Sequence, residues 1–272
     1  MDKVNKAFLK WAGGKSSSVD MIVQEVGEVK GRFVEPFVGS AVVSLNVEAK
    51  EYLLADFNRD LINLYKVLKE HKDDFIATCA AYFSGDDNTK EQFYKIRALF
   101  NESEDIDDRA DMFVYLNRHC FNGLCRYNSR GKFNVPFGKY KSVYFPVDEM
   151  KFFYRKAEKF EFVKQGFEYT IEQCKPDDVI YCDPPYVPLS DTASFTSYNV
   201  DGFNDIKQRI LAKLAERSKC LFLISNHDNK ITRELYKEAD KVITKDVSRF
   251  IGAGKGTRKQ VKELLAIYNK KS

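Results

Sequence analysis

Residues 183–186 read Asp-Pro-Pro-Tyr, directly after the apolar tetrad Val-Ile-Tyr-Cys. Neither proline can donate to a ladder, so a strand must end there and a stiff loop begin. In open α/β sheets that place, the carboxyl end of a strand, is where ligands bind. It makes the Asp183 carboxylate and the Pro184 carbonyl neighbouring acceptors and lets Tyr186 offer a flat face. Two acceptors and a ring suit an exocyclic amino group on a planar base. The acceptors take its two N–H donors, the phenol stacks on the base, and the nitrogen lone pair turns toward an electrophilic methyl group. The plainer reading, a strand merely stopped by prolines, leaves Asp183 and Tyr186 unused.

A second constellation is Glu35-Pro36-Phe37-Val38-Gly39-Ser40. A glycine turn after a strand lets backbone N–H groups approach a ligand. Asp56 ends the next apolar run, where an acidic side chain commonly binds ribose hydroxyls. This pattern suggests an adenosine-type ligand and does not separate a dinucleotide from S-adenosylmethionine. The third is residues 118–140, which carry Arg118, Arg126, Arg130, Lys132 and Lys139 with no acidic residue, interleaved with aromatics and amides. A solvated loop would mix both signs. This one suits phosphates, base edges and an apolar wedge between base pairs.

Other motifs fail on their spacing. Gly14-Lys15-Ser16 resembles the end of a P-loop, but Leu9 occupies the required glycine position, and Gly254-Lys255 is followed by Gly256 instead of a hydroxyl residue. Asp56 to Asp60 begins like a calcium loop, but Leu61 and Val67 stand at the glycine and final acidic positions. The three histidines lack metal-ligand spacing, and the six cysteines form no Cys-x-x-Cys pair, so buried reduced thiols and no metal are expected.

The elements that must position these residues follow from pattern. The chain has 272 residues, 44% hydrophobic and 31% charged, which excludes a disordered chain and allows one large domain or two modest ones. A formal charge of +4 is too small for non-specific polyanion binding, so any such surface must come from local placement. No apolar run approaches the ~18 residues that cross a bilayer, and Met-Asp-Lys-Val-Asn-Lys is no secretory signal, so a cytoplasmic protein is expected. Residues 32–37, a turn, a helical 41–48 and a strand at 51–56 give βαβ grammar. Short strands recur at 179–182 and 220–225, with a helix between them carrying Ile206, Ile210 and Leu214. Leu61, Leu64, Tyr65 and Leu68 share one helical face, as do Phe93, Ile96 and Phe100, and Thr89 with Gln92 can cap the second helix. Residues 58–146 therefore read as a mainly helical insertion, ending in an irregular loop or hairpin, in an α/β domain. Val261, Leu264, Leu265 and Tyr268 fit a helix capped by Thr257 and Gln260, but Leu264, Ala266 and Tyr268 also alternate as in a strand.

Taken together, Phe8-Leu-Lys-Trp-Ala-Gly-Gly-Lys15, residues 35–39, 118–140 and 183–186, and Ile224-Ser-Asn-His-Asp228 resemble the Dam-type DNA adenine-N6 methyltransferases of bacteria and their phages. The likeness runs through nearly the whole chain in that family's order. It implies a Rossmann-like methyltransferase sheet, mostly parallel, with residues 263–269 a strand paired antiparallel to 241–250. It divides the chain into an S-adenosylmethionine-binding catalytic part, 1–57 with 147–272, and a target-recognition domain, 58–146. The implied activity is methyl transfer to N6 of an adenine flipped out of double-stranded DNA, within GATC, by a monomer. Trp11, Lys15, Glu35, Phe37, Gly39, Asp56 and Asp183 would hold the donor. Asp183, Pro184 and Tyr186 would be catalytic. Lys10 and Arg126 would read guanine, with Leu124, Pro136 and Tyr140 near base edges and Asn122 beside Phe121 as the wedge. Arg97, Arg118, Asn128, Asn134 and Lys139 would complete the DNA surface. Two positions depart from the family pattern: Phe121 stands where a tyrosine is expected, and Ala41 where the cofactor loop has its second glycine. Two other classes share parts of this pattern: an enzyme methylating adenine in RNA or an amide in protein, and a DNA-binding module without catalysis. The residue 118–140 stretch argues against the first and the intact Asp183–Tyr186 loop against the second.

Overall fold

The computed structural model describes residues 4–84, 88–187, 203–250 and 258–270. In chain order its elements are α1 (Val19–Val26), β1 (Arg32–Glu35), β2 (Glu51–Asp56), α2 (Arg59–Ala81), α3 (Lys90–Glu102), α4 (Ile106–His119), α5 (Val147–Ala157), β3 (Phe160–Lys164), α6 (Phe167–Glu172), β4 (Val179–Cys182), α7 (Asp205–Arg217), β5 (Leu221–His227), α8 (Lys230–Leu235), β6 (Lys241–Phe250) and β7 (Arg258–Tyr268). The strands form one sheet in the order β3-β2-β1-β4-β5-β7-β6. β1, β4 and β5 run parallel, with Phe33 opposite Val179 and Cys182 opposite Ile224. β7 is antiparallel to both β5 and β6. This is the expected Rossmann-like α/β sheet with an antiparallel C-terminal hairpin, and it settles the ambiguous last segment as a strand. Gly254-Lys255 and the proposed cap Thr257 lie outside the described residues.

The chain forms two compact units: residues 1–16, 38–46 and 54–164, and residues 17–37, 47–53 and 165–272. In the first, the helical run stands as its pattern predicts. Leu61, Leu64, Tyr65 and Leu68 are buried on α2, and Phe93, Ile96 and Phe100 on α3. Asn58, Thr89 and Asp105 open α2, α3 and α4 by accepting backbone N–H bonds, each relieving orphan donors of a first turn.

In the second unit, a half-buried ion pair aligns the two central strands. Asp178 accepts from the Arg32 backbone N–H at 2.8 Å and from its guanidinium at 2.9 Å. Burial pushes the Asp178 carboxyl up, but the Arg32 hydrogen bonds outweigh it and hold the group below its usual range. The pair fixes the entry of β1 beside β4, so the carboxyl ends of the two strands emerge side by side.

Two expected elements differ. Residues 42–46 form turns, and no helix occurs within 41–48. Ala41 is buried at φ 59°, a left-handed conformation that no helix accepts, and its N–H closes a turn on Val38 O. Helix α7 forms, but Ile206 is 65% exposed, while Gln208, Leu211, Ala212 and Ala215 are buried, on roughly the opposite face at 100° per residue.

Candidate active site and nucleic-acid interface

In the sheet order, β1 has β2 on one side and β4 on the other, and β4 leads on to β5. The order therefore reverses between β1 and β4, and such a switch point opens a crevice at the carboxyl ends of the strands. Both strands belong to the second unit, so Glu35, at the end of β1, and Asp183, following β4, leave neighbouring parallel strands there. Glu35 is buried, and Phe37 stacks on Phe167 at 5.4 Å and meets Phe203 edge-on. Cys182, directly before Asp183, is fully buried, which pushes its thiol far above the usual range and keeps it neutral.

The Asp183–Tyr186 loop is firmly held. Pro184 is buried and Asp183 and Tyr186 are half-buried. Tyr186 OH lies 3.4 Å from Glu263 Oε2, and its ring meets the His227 imidazole edge-on, centroids 4.7 Å apart. Side chains from α7 and β5 take the Pro185 carbonyl and the Val187 N–H. Asp183, Pro184 and Tyr186 therefore come together as acceptor, acceptor and ring, on a backbone with little freedom.

The first unit gathers a different set. Gly39 adopts φ +45°, and a Cβ there would come within 2.8 Å of the Trp11 Nε1 atom, so only glycine lets the indole close on the turn. Asp56 accepts from Gly39 N at 3.2 Å and from Asn58 N at 2.9 Å, which fixes its carboxylate beside the turn. Lys15 is only 3% exposed, with Nζ 2.6 Å from Gly13 O. A buried ammonium, an indole, a glycine turn and an anchored carboxylate are thus gathered in the first unit, groups able to meet an anion and hydroxyls. One further residue was overlooked in the sequence. Phe57, immediately after Asp56, is a large aromatic that is 77% exposed, with the Lys164 ammonium 5.8 Å from its ring centroid. Its adjacency to Asp56 was the available signal.

Residues 118–140, also in the first unit, form a hairpin. Cys120 bridges Phe137 and Tyr127 bridges Phe133, both antiparallel. The Asn128 side-chain oxygen accepts from Arg130 N and Lys132 N and so shapes the tip. Asn101 of α3 acts as a strand partner, accepting from Phe133 N and donating to Phe133 O. Arg97 donates to Val135 O and lies over the Tyr94 ring.

At the base of the hairpin Lys10, Tyr140 and Asn122 come together. Lys10 donates to Arg118 O at 3.0 Å, and its ammonium sits 3.9 Å from the Tyr140 ring centroid. Burial, then the Arg118 charge, lowers the Lys10 pKa. Tyr140 OH donates to Cys120 O and accepts from Asn122 N, holding Asn122 at φ 54°. Gly123 must lack a side chain, since a Cβ would fall 2.2 Å from Lys10 Cβ. Arg118 is half-buried and donates to the Phe8 and Tyr144 carbonyls. Asn122, Arg126, Asn128, Pro136 and Lys139 are exposed, while Phe121, Leu124, Asn134 and Tyr140 are half-buried. Arg126 is steadied by Asn134 Oδ1 at 2.7 Å.

The fold and these clusters define a doubly wound α/β protein whose strand order reverses between β1 and β4 and which bears a basic hairpin. The model of the D12-class N6 adenine-specific DNA methyltransferases matches residues 11–250, and the chain belongs to that family. It is 46% identical over 270 residues to the DNA adenine methylase of Serratia marcescens, covering 98% of this chain and 99% of that one. The DNA adenine methylases of Vibrio cholerae serotype O1 and Escherichia coli K12 are also 46% identical, with 97% and 96% of their lengths covered. Among the described residues, no helix is long and apolar enough to cross a membrane.

Proposed function

We propose that this DNA adenine methyltransferase takes its methyl group from S-adenosylmethionine and acts on adenine flipped out of duplex GATC in the cytoplasm. Residues 58–146 recognise the target, and residues 1–57 with 147–272 bind the donor. The observation that carries the reading is the braced Asp183–Tyr186 loop at the switch point, in a chain that also bears the hairpin of residues 118–140. Bound S-adenosylmethionine supplies a methyl already made electrophilic by its sulfonium. Lys15 meets its carboxylate, Trp11 and the Gly39 turn shape its bed, and Asp56 takes the ribose hydroxyls. Asp183 and the Pro184 carbonyl accept from the two N–H bonds of the adenine amine, and Tyr186 stacks on the ring. Fixed acceptors of this kind lower a barrier by positioning and by dipoles set before the reaction. Asn122, held by Tyr140, enters the duplex as the adenine leaves, offsetting the few kcal/mol of unstacking. Labelled-methyl transfer to duplexes with and without GATC tests the whole reading. Transfer confined to RNA or protein, or absent altogether, sinks it.

Three variants refine it. Arg126→Ala is expected to lose about 1–3 kcal/mol of discrimination at one flanking base. Lys139→Ala is expected to weaken all duplexes alike and flatten the salt dependence. Competition binding against a one-base mismatch at several salt concentrations reads both, and equal behaviour of the two variants would count against the division into reader and positioner. Phe57→Ala is expected to weaken donor binding about tenfold without changing thermal stability, because an exposed ring that stacks on a base contributes roughly 1–3 kcal/mol. Titration calorimetry with the donor checks this, and an unchanged Kd would remove Phe57 from the site.

A further inference from the structure

We infer that Gln208, Asn226 and Tyr236 are positioning residues for methyl transfer, forming a closed ring of buried side chains that clamps the catalytic loop on both sides of Tyr186. The inference rests on the reading of Asp183, Pro184 and Tyr186 as the amine-orienting loop. Pro184 and Pro185 have no N–H, so the loop cannot be anchored by donating through those two residues. Two of the groups that remain are taken by side chains. Gln208 Nε2, from α7, donates to Pro185 O at 2.7 Å. Asn226 Oδ1, from β5, accepts from Val187 N at 3.1 Å.

The two amides are joined to each other. Asn226 Nδ2 donates to Tyr236 OH at 3.0 Å and to Gln208 Oε1 at 3.3 Å, and the Tyr236 hydroxyl donates on to Gln208 Oε1. Asn226 Oδ1 also accepts from His227 N at 2.9 Å. One orientation of each amide satisfies this set. Turning Asn226 over would set its NH₂ against two backbone donors, and turning Gln208 over would oppose two carbonyl oxygens. The ring is deeply placed, with Asn226 at 0%, Tyr236 at 1% and Gln208 at 4% exposure. A buried network that is fully paired holds one geometry, and a broken one leaves unpaired groups at high cost. His227 adds a further hold, because its Nδ1 lies 2.8 Å from Val187 O, and a carbonyl can only accept.

None of the three ring residues is placed against base or donor. Their effect is to fix where the Pro184 carbonyl and the Tyr186 ring stand, and a misplacement of about 1 Å at a reacting centre costs about 10²-fold in rate. A merely structural ring would lower stability and ligand binding together. A positioning ring lowers the transfer step alone.

The test compares single-turnover methyl transfer, at saturating S-adenosylmethionine and GATC duplex, for the parent enzyme and for Asn226→Leu, Gln208→Met and Tyr236→Phe. Donor Kd, duplex Kd, and the fluorescence rise of 2-aminopurine placed at the target adenine are measured alongside. Asn226→Leu and Gln208→Met are expected to slow transfer by about 10²-fold, with both Kd values within about threefold of the parent and the fluorescence rise retained. Tyr236→Phe keeps both clamps and opens only the ring, so a loss of roughly threefold to tenfold is expected, in the same step. Should Asn226→Leu fail to fold, the other two variants decide. Folded variants that transfer within about threefold of the parent, or that lose rate only in proportion to lost binding, overturn the inference. A parent enzyme unable to methylate duplex adenine would instead overturn the underlying reading.

Discussion

Asp183→Ala is expected to slow methyl transfer at saturating donor and duplex by at least about 10²–10³-fold, the loss typical of removing one preorganised polar group from a transition state. Asp183 follows β4, whose residues are all buried, and lies directly before buried Pro184, so packing and the Gln208 and Asn226 bonds hold the backbone around it. The fold should therefore survive, with the thermal midpoint close to that of the parent. The adenine should still leave the duplex, because the wedge and the stacking ring remain, so 2-aminopurine fluorescence should still rise. The donor should bind more weakly as well, since the same carboxylate serves both ligands in the proposed site. Single-turnover kinetics with labelled donor separate these effects. Turnover within tenfold of the parent would remove Asp183 from the reaction.

What could be read from the chain, and what could not, divides along physical lines. Long helices with one buried face were evident from Leu61 to Leu68 and from Phe93 to Phe100, because a 3.6-residue stripe is a local signal. β7 was ambiguous for an equally plain reason. It lies between β5 and β6, and Leu264, Leu265, Ala266, Ile267 and Tyr268 are all buried. A strand covered on both faces loses its alternation. The turns at 42–46 escape a pattern reading because alanine favours helix, and only the resemblance, with a glycine expected at Ala41, hints at a positive φ there.

The face of α7 was misjudged for a more informative reason. Hydropathy counts Gln208 as a surface residue, yet its burial is what lets it reach the Pro185 carbonyl. Similarly, the Asp183–Tyr186 chemistry is evident from residue types, but the side chains that brace it come from α7, β5 and the residue after α8, far along the chain. Arg118 shows the converse. Its charge is legible in the sequence, but only the structure reveals that it also donates to the Phe8 and Tyr144 carbonyls. Sequence identifies groups with unusual chemistry, while their supports depend on non-local pairing.

Arg109→Met is expected to cost about 3–5 kcal/mol of stability, since breaking one partner of a buried pair strands the other charge. Arg109 Nε and Nη2 meet the two Asp60 oxygens at 2.9 and 2.8 Å, and the paired side chains are 10% and 7% exposed. Its Nη1 reaches Ser103 O, and its guanidinium lies 4.1 Å from the Phe100 ring centroid. Asp60 also accepts from Tyr127 OH at 2.7 Å, while the Cys125 thiol accepts from Asn58 Nδ2 at 3.2 Å. Arg126 thus stands between two residues anchored to the start of α2, and losing Arg109 should loosen the hairpin as well as the helices. Chemical denaturation measures the stability loss, and discrimination against a mismatched duplex should fall with it. Replacing the whole unit, Arg109→Met with Asp60→Leu and Tyr127→Phe, should recover most of the stability, because an apolar substitute of similar volume leaves no stranded charge or hydroxyl. It should not recover the discrimination, since Tyr127 no longer has a tether. A loss below about 1 kcal/mol in the single variant, or full specificity in the triple one, would show that the pair neither stabilises the first unit nor sets the hairpin.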